Sequence, residues 1–431
     1  MSFHRHIFGF RRLGLGVTAL CVAASGWSQS GVAPALSLPD ALQKAASANP
    51  ALHAERFRQN AAAALVEQAD LRPNPTLDIS VENAIGTGPF RGIDAFEATV
   101  QASQLIERGD KRARRVSLAE SQHDLTINAF AVRRAEVLAA TAEAFVAVLA
   151  AQERVALVRE PLALAATTIE SVQARVDAAV ASPAESARAR AALAMAQAEA
   201  ARADAALVRA RSTLASTWGG AATDVAHLNG KLHVPDALPD PTVYRARLAE
   251  HPRKLLAAAA VERDRAALAL EQAHATQDIT VGGGLRFFRS GSDAALVAGV
   301  SLPLPVRNRN QGNIRAARET LAGVELAADA VAIELRTAFD LAWQDLALAH
   351  QQVIAIRRDA LPPTTAAHAI VREAYDSGQL PLLDVLDAQR ALIALRRELL
   401  DASADYAIAL ARVESLTDPS FTSLSTLLAQ P

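Results

Sequence analysis

Asp384 and Asp387 stand three residues apart in the run Tyr375-Asp376-Ser377-Gly378-Gln379-Leu380-Pro381-Leu382-Leu383-Asp384-Val385-Leu386-Asp387. On a helix that spacing puts both carboxylates on one face within a single turn. Gly378 permits a sharp chain reversal, and Pro381 suits the first turn of a returning helix. Such a pair can act in two ways. Repeated around a symmetry axis it forms stacked acidic rings that attract cations and narrow an opening through bound counter-ions; alone it only stabilises a helix N-terminus. Two basic groups are the other charged clusters: Arg108, Lys111, Arg112, Arg114 and Arg115, then Arg307, Arg309 and Arg315. They could meet lipid headgroups, pair with buried carboxylates, or form a solvated helix face. The sequence holds no His-Glu-x-x-His, no glycine-rich phosphate loop and no nucleophile elbow, and its ten histidines are scattered. Met1 and Met195 are the only methionines, so a soft-ligand relay for copper or silver has no support. The chemistry on offer is electrostatic, with no enzyme activity and no cofactor expected.

The elements that must carry these residues follow from composition. The chain has 431 residues, 51% hydrophobic but only 4% aromatic, with alanine the commonest residue. Ala, Leu, Arg and Glu in this balance favour long helices packed through small side chains over a β-sandwich or doubly wound α/β enzyme. A formal net charge of -2 gives no electrostatic case for a nucleic-acid partner. Arg5, Arg11 and Arg12 precede an apolar run, Leu13 to Ala24, and then small residues. That is an export signal over about residues 1–30, too short to remain as a membrane helix. Leu20 before the single cysteine, Cys21, argues against lipidation, and the mature chain is expected to lack thiols. No later stretch reaches 18 consecutive apolar residues, a test that says nothing of a β-barrel.

The chain repeats itself. Ser182-Pro183 aligns with Leu380-Pro381, and Ser103 with Ser301, both 198 residues apart. Glu67-Gln68-Ala69 matches Glu271-Gln272-Ala273, and Asn49-Pro50 matches His251-Pro252. Repeats over 37–217 and 242–417 are joined by a Gly- and Pro-rich segment, 218–241, and followed by a tail, 418–431. Each runs helix, two strands, very long helix, tip, returning helix. Period-two alternation places the strands at 76–82, 95–104, 278–287 and 294–302. Leu77, Ile79 and Val81 alternate with polar neighbours, as do Phe96, Ala98, Val100 and Ala102. Amphipathic strands of this length suit a membrane barrel, and equally two hairpins packed on a soluble core. Heptads in the returning helices break the tie: Leu193, Ala200, Leu207 and Leu214, and Val385, Leu392, Leu399, Tyr406 and Val413. A helix from Lys111 to about Ala178 would run on the order of 100 Å. Pro161 and Pro362-Pro363 predict kinks in both descending helices. Pro73, Pro75, Pro303 and Pro305 would set the swivel between strand and helix.

Four strands alone form an open sheet whose edge groups cannot stay unpaired in hydrocarbon. If they cross a membrane, they must close against copies of themselves. At this point the chain resembles the outer membrane efflux proteins of the TolC family, particularly channel subunits of cobalt–zinc–cadmium-type export systems. The resemblance rests on Leu71-Arg72-Pro73-Asn74-Pro75, Gly109-Asp110-Lys111-Arg112, Pro303-Leu304-Pro305 through Asn308-Arg309-Asn310-Gln311-Gly312, and Gly378 to Gln389. It implies a mainly α fold with a small β part: a homotrimer with a 12-stranded barrel in the outer membrane and a coiled-coil α-barrel in the periplasm. The implied partners are outer membrane lipids, a periplasmic adaptor and an inner-membrane pump of the resistance-nodulation-division type. The resemblance assigns Asp384 and Asp387 to the periplasmic aperture. Exposed tip residues Val180, Ser182, Ser377, Gly378 and Leu380 are candidates for adaptor contact, or plain turn chemistry. Pro73, Pro75, Arg108, Lys111, Arg112, Pro303, Pro305, Arg307 and Arg309 fall at the barrel–helix junction. The expected function is a passive exit duct for heavy-metal cations or other small toxic solutes. A soluble periplasmic scaffold and a type I protein secretion channel are the alternatives.

Overall fold

The computed structural model describes residues 35–225 and 227–429. The export signal and Cys21 lie outside the described residues. The first repeat contains α1 (Leu38–Ala48), α2 (Pro50–Asp70), β1 (Thr76–Glu82), β2 (Glu97–Ile106), α3 (Lys111–Asp177) and α4 (Pro183–Ser216). After a short α5 (Pro241–Arg247) the second repeat contains α6 (Pro252–His274), β3 (Ile279–Phe288), β4 (Asp293–Ser301), α7 (Gln311–Ala355), α8 (Leu361–Asp376) and α9 (Leu382–Thr417), and α10 (Thr422–Leu428) closes the chain.

The duplicated dipeptides have a shared physical role. Asn49 and His251 are N-caps, and Pro50 and Pro252 open the helices behind them. Asn49 Oδ1 accepts from the N–H groups of Ala51 and Leu52 at 2.8 and 3.2 Å, and His251 Nδ1 from Arg253 N–H at 3.1 Å. Each cap satisfies helical donors that would otherwise be orphaned, while proline at the first position forfeits none. Asp110 and Asn310, each in the left-handed region, start the two long helices.

The 67 residues of α3 extend about 100 Å at ~1.5 Å per residue. No break occurs at Pro161, which sits inside the continuous helix. In the second repeat the irregularity falls before Pro362-Pro363, as a π-turn over Ile356–Ala360. One proline removes a single helical donor, which a long helix tolerates. Two adjacent prolines remove two, and the preceding turn widens instead. Thr364 Oγ1 then donates to the Ala360 carbonyl at 2.8 Å.

The heptad seams are the buried seams. Leu214, Ala189 and Ala203 on α4 are buried, as are Leu392, Ala402, Tyr406, Ala409 and Val413 on α9. The largest apolar cluster lies where mid-α3, the end of α4, mid-α7 and the end of α9 meet α1, α5 and α10, around Phe145, Phe339, Tyr406 and Phe421. The joining segment contributes to that core through Trp218, Val225, Leu228 and Val234. Among the described helices, one 18-residue window of α3 is apolar enough for a membrane span, but 56% of it is buried in this packing.

The four strands form one antiparallel sheet in the order β1-β2-β3-β4, with β1 and β4 at its edges. Its register keeps apolar residues in line across all strands: Ile79 opposite Val100, Val100 opposite Leu285, Leu285 opposite Leu296. No helix packs across this face, and Leu296 and Val300 are 87% and 73% exposed. The sequence pattern placed β2 two residues early, because Leu105 and Ile106 break the alternation yet still pair with Thr280 and Ile279; β3 was placed one residue early and β4 one residue late.

Glu414 is wholly buried on α9, where its carboxylate accepts from Ser423 and Leu424 N–H at 2.8 and 2.9 Å, capping α10. Burial pushes its carboxyl up, against the pull of these bonds. Glu414→Ala leaves both donors buried without acceptors and should cost about 2–4 kcal/mol, read as a lowered melting temperature of the purified protein.

Candidate functional site

Both tips are tight reversals built alike. In the first, Ala179 takes a left-handed conformation (φ 58°), and the N–H groups of Val180 and Ala181 return to the Arg175 carbonyl. In the second, Gly378 takes it (φ 78°), and the N–H groups of Gln379 and Leu380 return to Ala374. Glycine is free of the Cβ penalty that Ala179 bears there. The geometry corrects the sequence alignment by one residue: Ser182 is equivalent to Pro381. Pro381 is therefore the N-cap residue of α9, outside its first turn, whereas Pro183 opens α4 from within. Ser182 Oγ accepts from Ala184 N–H at 3.2 Å.

The structure brings the two tips together. Arg175 Nη1 donates to the Tyr375 hydroxyl at 2.9 Å, and the guanidinium lies 5.3 Å from that ring's centre. Beneath it Val172, Ala189, Leu382 and Leu386 form a buried cluster. Sequence reading missed this tie: Tyr375 lies one residue beyond Ala374, the tip equivalent of Arg175, so the repeat does not pair them. Asp384 is half-buried and Asp387 exposed, on the other side of α9 from buried Leu382 and Leu386. Asp387 Oδ1 accepts from Arg390 at 3.2 Å. Val180, Ser182, Ser377 and Gly378 are exposed, and Leu380 is half-buried.

At the junction of sheet and helices, the first basic group divides its work. Lys111 is buried, its Nζ 2.8 Å from Asp278 Oδ1, and Arg108 N–H donates to the same oxygen at 3.0 Å. Arg112 bridges Asp70 at 2.7 Å and also donates to its carbonyl. Arg115 grips Glu107 with two nitrogens and donates to the Ala69 and Leu71 carbonyls at 2.9 and 3.1 Å. Guanidinium groups thereby satisfy the orphan carbonyls and the negative dipole end of α2. In the second repeat Asn310 does this for α6, donating to the Glu271 carbonyl at 2.7 Å. Arg114, Arg307, Arg309 and Arg315 are exposed, with Arg309 donating to the Pro305 carbonyl at 3.2 Å. Pro73 and Pro75 lie between α2 and β1, and Pro303 and Pro305 between β4 and α7. Pro73 O accepts from Gln104 at 2.8 Å. Asp70 and Glu107 were not singled out from sequence, since each lies beside an element end and follows no periodic pattern; Asp278 was read only as a polar position in the alternation of the third strand. Among the described residues, no group of three or more His, Cys, Asp or Glu could hold a metal ion.

The chain thus combines two long helical hairpins, an amphipathic sheet with open edges and a basic junction between them. A profile of outer membrane efflux proteins matches residues 41–220 and 244–417. The chain belongs to that family: it is an outer membrane efflux channel protein, not an enzyme. It is 30% identical to the cobalt-zinc-cadmium resistance protein CzcC of Cupriavidus metallidurans, over 84% of this chain and 85% of that one. With the nickel-cobalt-cadmium resistance protein NccC of Alcaligenes xylosoxydans it shares 26% identity over 74% and 72% of the two chains. The fold matches the outer membrane protein VceC of Vibrio cholerae with a TM-score of 0.71 at 17% identity, over 88% of this chain and 96% of that one.

Burial pushes the Asp278 carboxyl up, but the Lys111 bond, the Arg108 N–H and the nearby Lys111 and His274 charges outweigh it and hold it below the usual range. A lowered folded value stabilises above the unfolded value of about 4 and loses that contribution as pH falls through the folded one. Asp278→Ala strands the buried Lys111 ammonium and should cost about 3 kcal/mol. Thermal melting of wild type, Asp278→Ala and Lys111→Met/Asp278→Ala should show the double variant recovering most of the loss. The difference between wild type and Asp278→Ala should shrink below about pH 4.

Proposed function

We propose that three copies of this chain close into a passive exit duct, with a 12-stranded barrel in the outer membrane and a long α-barrel in the periplasm. The observation that carries it is the four-stranded sheet, apolar and uncovered on one face, with an open edge on each side. Unpaired edge groups in hydrocarbon cost several kcal/mol each, and cyclic closure pairs β1 of one copy with β4 of the next. Strands of 7 to 10 residues approach the ~9–11 tilted residues that span a bilayer. A soluble scaffold would need that apolar face covered within one chain.

The cargo we infer is heavy-metal cations or other small toxic solutes, delivered by an inner-membrane pump of the resistance-nodulation-division type through a periplasmic adaptor. The resistance proteins CzcC and NccC support this choice through the metals in their names. The adaptor would dock on the exposed tip residues Val180, Ser182, Ser377 and Gly378 and on half-buried Leu380. Asp384 and Asp387 would ring the periplasmic aperture, and Arg390 offsets part of the Asp387 charge. Exposed Arg307 and Arg309 would face lipid headgroups at the junction.

The test is extraction of the mature protein from the outer membrane with detergent, sizing as a trimer, and conductance in planar bilayers. A monomer soluble without detergent would sink the reading. Val100→Arg on the apolar face should cost about 2–4 kcal/mol near the bilayer midplane and deplete trimer from the outer membrane fraction, whereas Gln101→Arg on the opposite face should assemble. Replacing Asp384 and Asp387 with Ala should raise single-channel conductance and weaken block by multivalent cations; unchanged conductance would count against the aperture assignment.

A further inference from the structure

At the loop end of the sheet one row of residues runs Glu82, Glu97, Phe288, Asp293 across the four strands. Glu82 and Glu97 face each other directly, and like charges in that position repel. The row beneath supplies the counter-charge. Arg286 on β3 stands opposite Thr99, donates through Nε to Thr99 Oγ1 at 3.0 Å, and reaches Glu97 at 3.5 Å and Glu82 at 3.7 Å. One guanidinium thus ties three strands on the polar face. Toward the helices the same face of β3 carries Gly284, Gly282 and Thr280. A Cβ at Gly284 would run into the Val100 carbonyl, so that stretch of β3 presents bare backbone. Arg286 is therefore the charged group of β3 that projects from this face.

We propose that Arg286 sets the ion selectivity of the outer mouth. This rests on the channel reading, in which the face opposite the apolar one lines water. In this row Glu82, Glu97 and Asp293 against Arg286 leave two negative charges per subunit; the adjoining loops add Asp94, Arg91 and Arg289, so the mouth as a whole keeps one. The pore there passes small cations in preference to anions, and Arg286 limits how tightly a multivalent cation is held on its way out. Without the arginine, three carboxylates per subunit would converge and retain the cargo. With Glu82 and Glu97 neutralised, the mouth would lose its preference.

The experiment is reversal potential in a KCl gradient at low ionic strength, where screening is weak, with lanthanum added on the mouth side alone. The aperture substitutions Asp384→Ala and Asp387→Ala form the common background, so the far end of the duct cannot mask the result. Arg286→Gln should raise the cation-to-anion permeability ratio several-fold and tighten lanthanum block. Glu82→Gln/Glu97→Gln should move both the opposite way, and Arg286→Lys should stay near the background. If Arg286→Gln does not assemble, the Glu82→Gln/Glu97→Gln variant and the triple variant Arg286→Gln/Glu82→Gln/Glu97→Gln decide. Conducting variants with unchanged selectivity and block overturn the Arg286 assignment alone. A chain that forms no conducting trimer overturns the channel reading, and this proposal with it.

Discussion

Every other feature of the chain answers to the hydrogen bonds missing from the outer edges of β1 and β4. A sheet of four strands satisfies its inner backbone groups and leaves two rows of donors and acceptors bare. In water those rows would be solvated. In hydrocarbon they would find no partners, and the apolar side chains that line one face in register would be wasted on water. The register matters as much as the composition. A slip of one residue would turn Ile79, Val100, Leu285 and Leu296 to the opposite face and bring Arg286 to the apolar one.

The helices solve a different problem, which is how to keep a very long, alanine-rich structure in one register. Burial of large side chains is concentrated around Phe145, Phe339, Tyr406 and Phe421. Toward the tips the contacts thin to small residues and a four-residue cluster. Along this length the repeats are stitched by ion pairs, from Arg412 with Glu143 beside the main cluster, through Arg154 with Asp401, to Arg396 with Glu160 and Arg397 with Glu199 nearer the tips. Exposed pairs of this kind add little stability each. What they supply is alignment of α9 against α3 and α4, because a slide of one turn would oppose different charges.

The duplication is faithful in backbone and loose in side-chain chemistry. The same left-handed residue opens both long helices, as Asp110 and as Asn310, and the same reversal makes both tips, with Ala179 and with Gly378. Yet α2 is capped by arginines where α6 is capped by an asparagine amide. Only the first repeat contributes a buried lysine, and its partner Asp278 comes from the second. Backbone geometry tolerates several side-chain solutions to the same orphan carbonyls, so the two halves have diverged wherever a carbonyl needed only some donor.

What could be read from the sequence was whatever recurs at short range. Alternation located the strands within two residues, heptads identified the seams of α4 and α9, and the doubled Asn-Pro and His-Pro marked the repeat. These signals are local because they reflect the repeat of a strand or helix itself. The π-turn before Pro362-Pro363, the unbroken passage through Pro161, and the one-residue shift between tips depend on which backbone bonds the surrounding helices can replace. The ties Arg175–Tyr375, Lys111–Asp278 and Arg286–Glu97 depend on packing that brings residues 167 to 200 positions apart into contact. No periodicity encodes such pairs, since a charge at an element's end has many candidate partners until the tertiary fold leaves only one within reach.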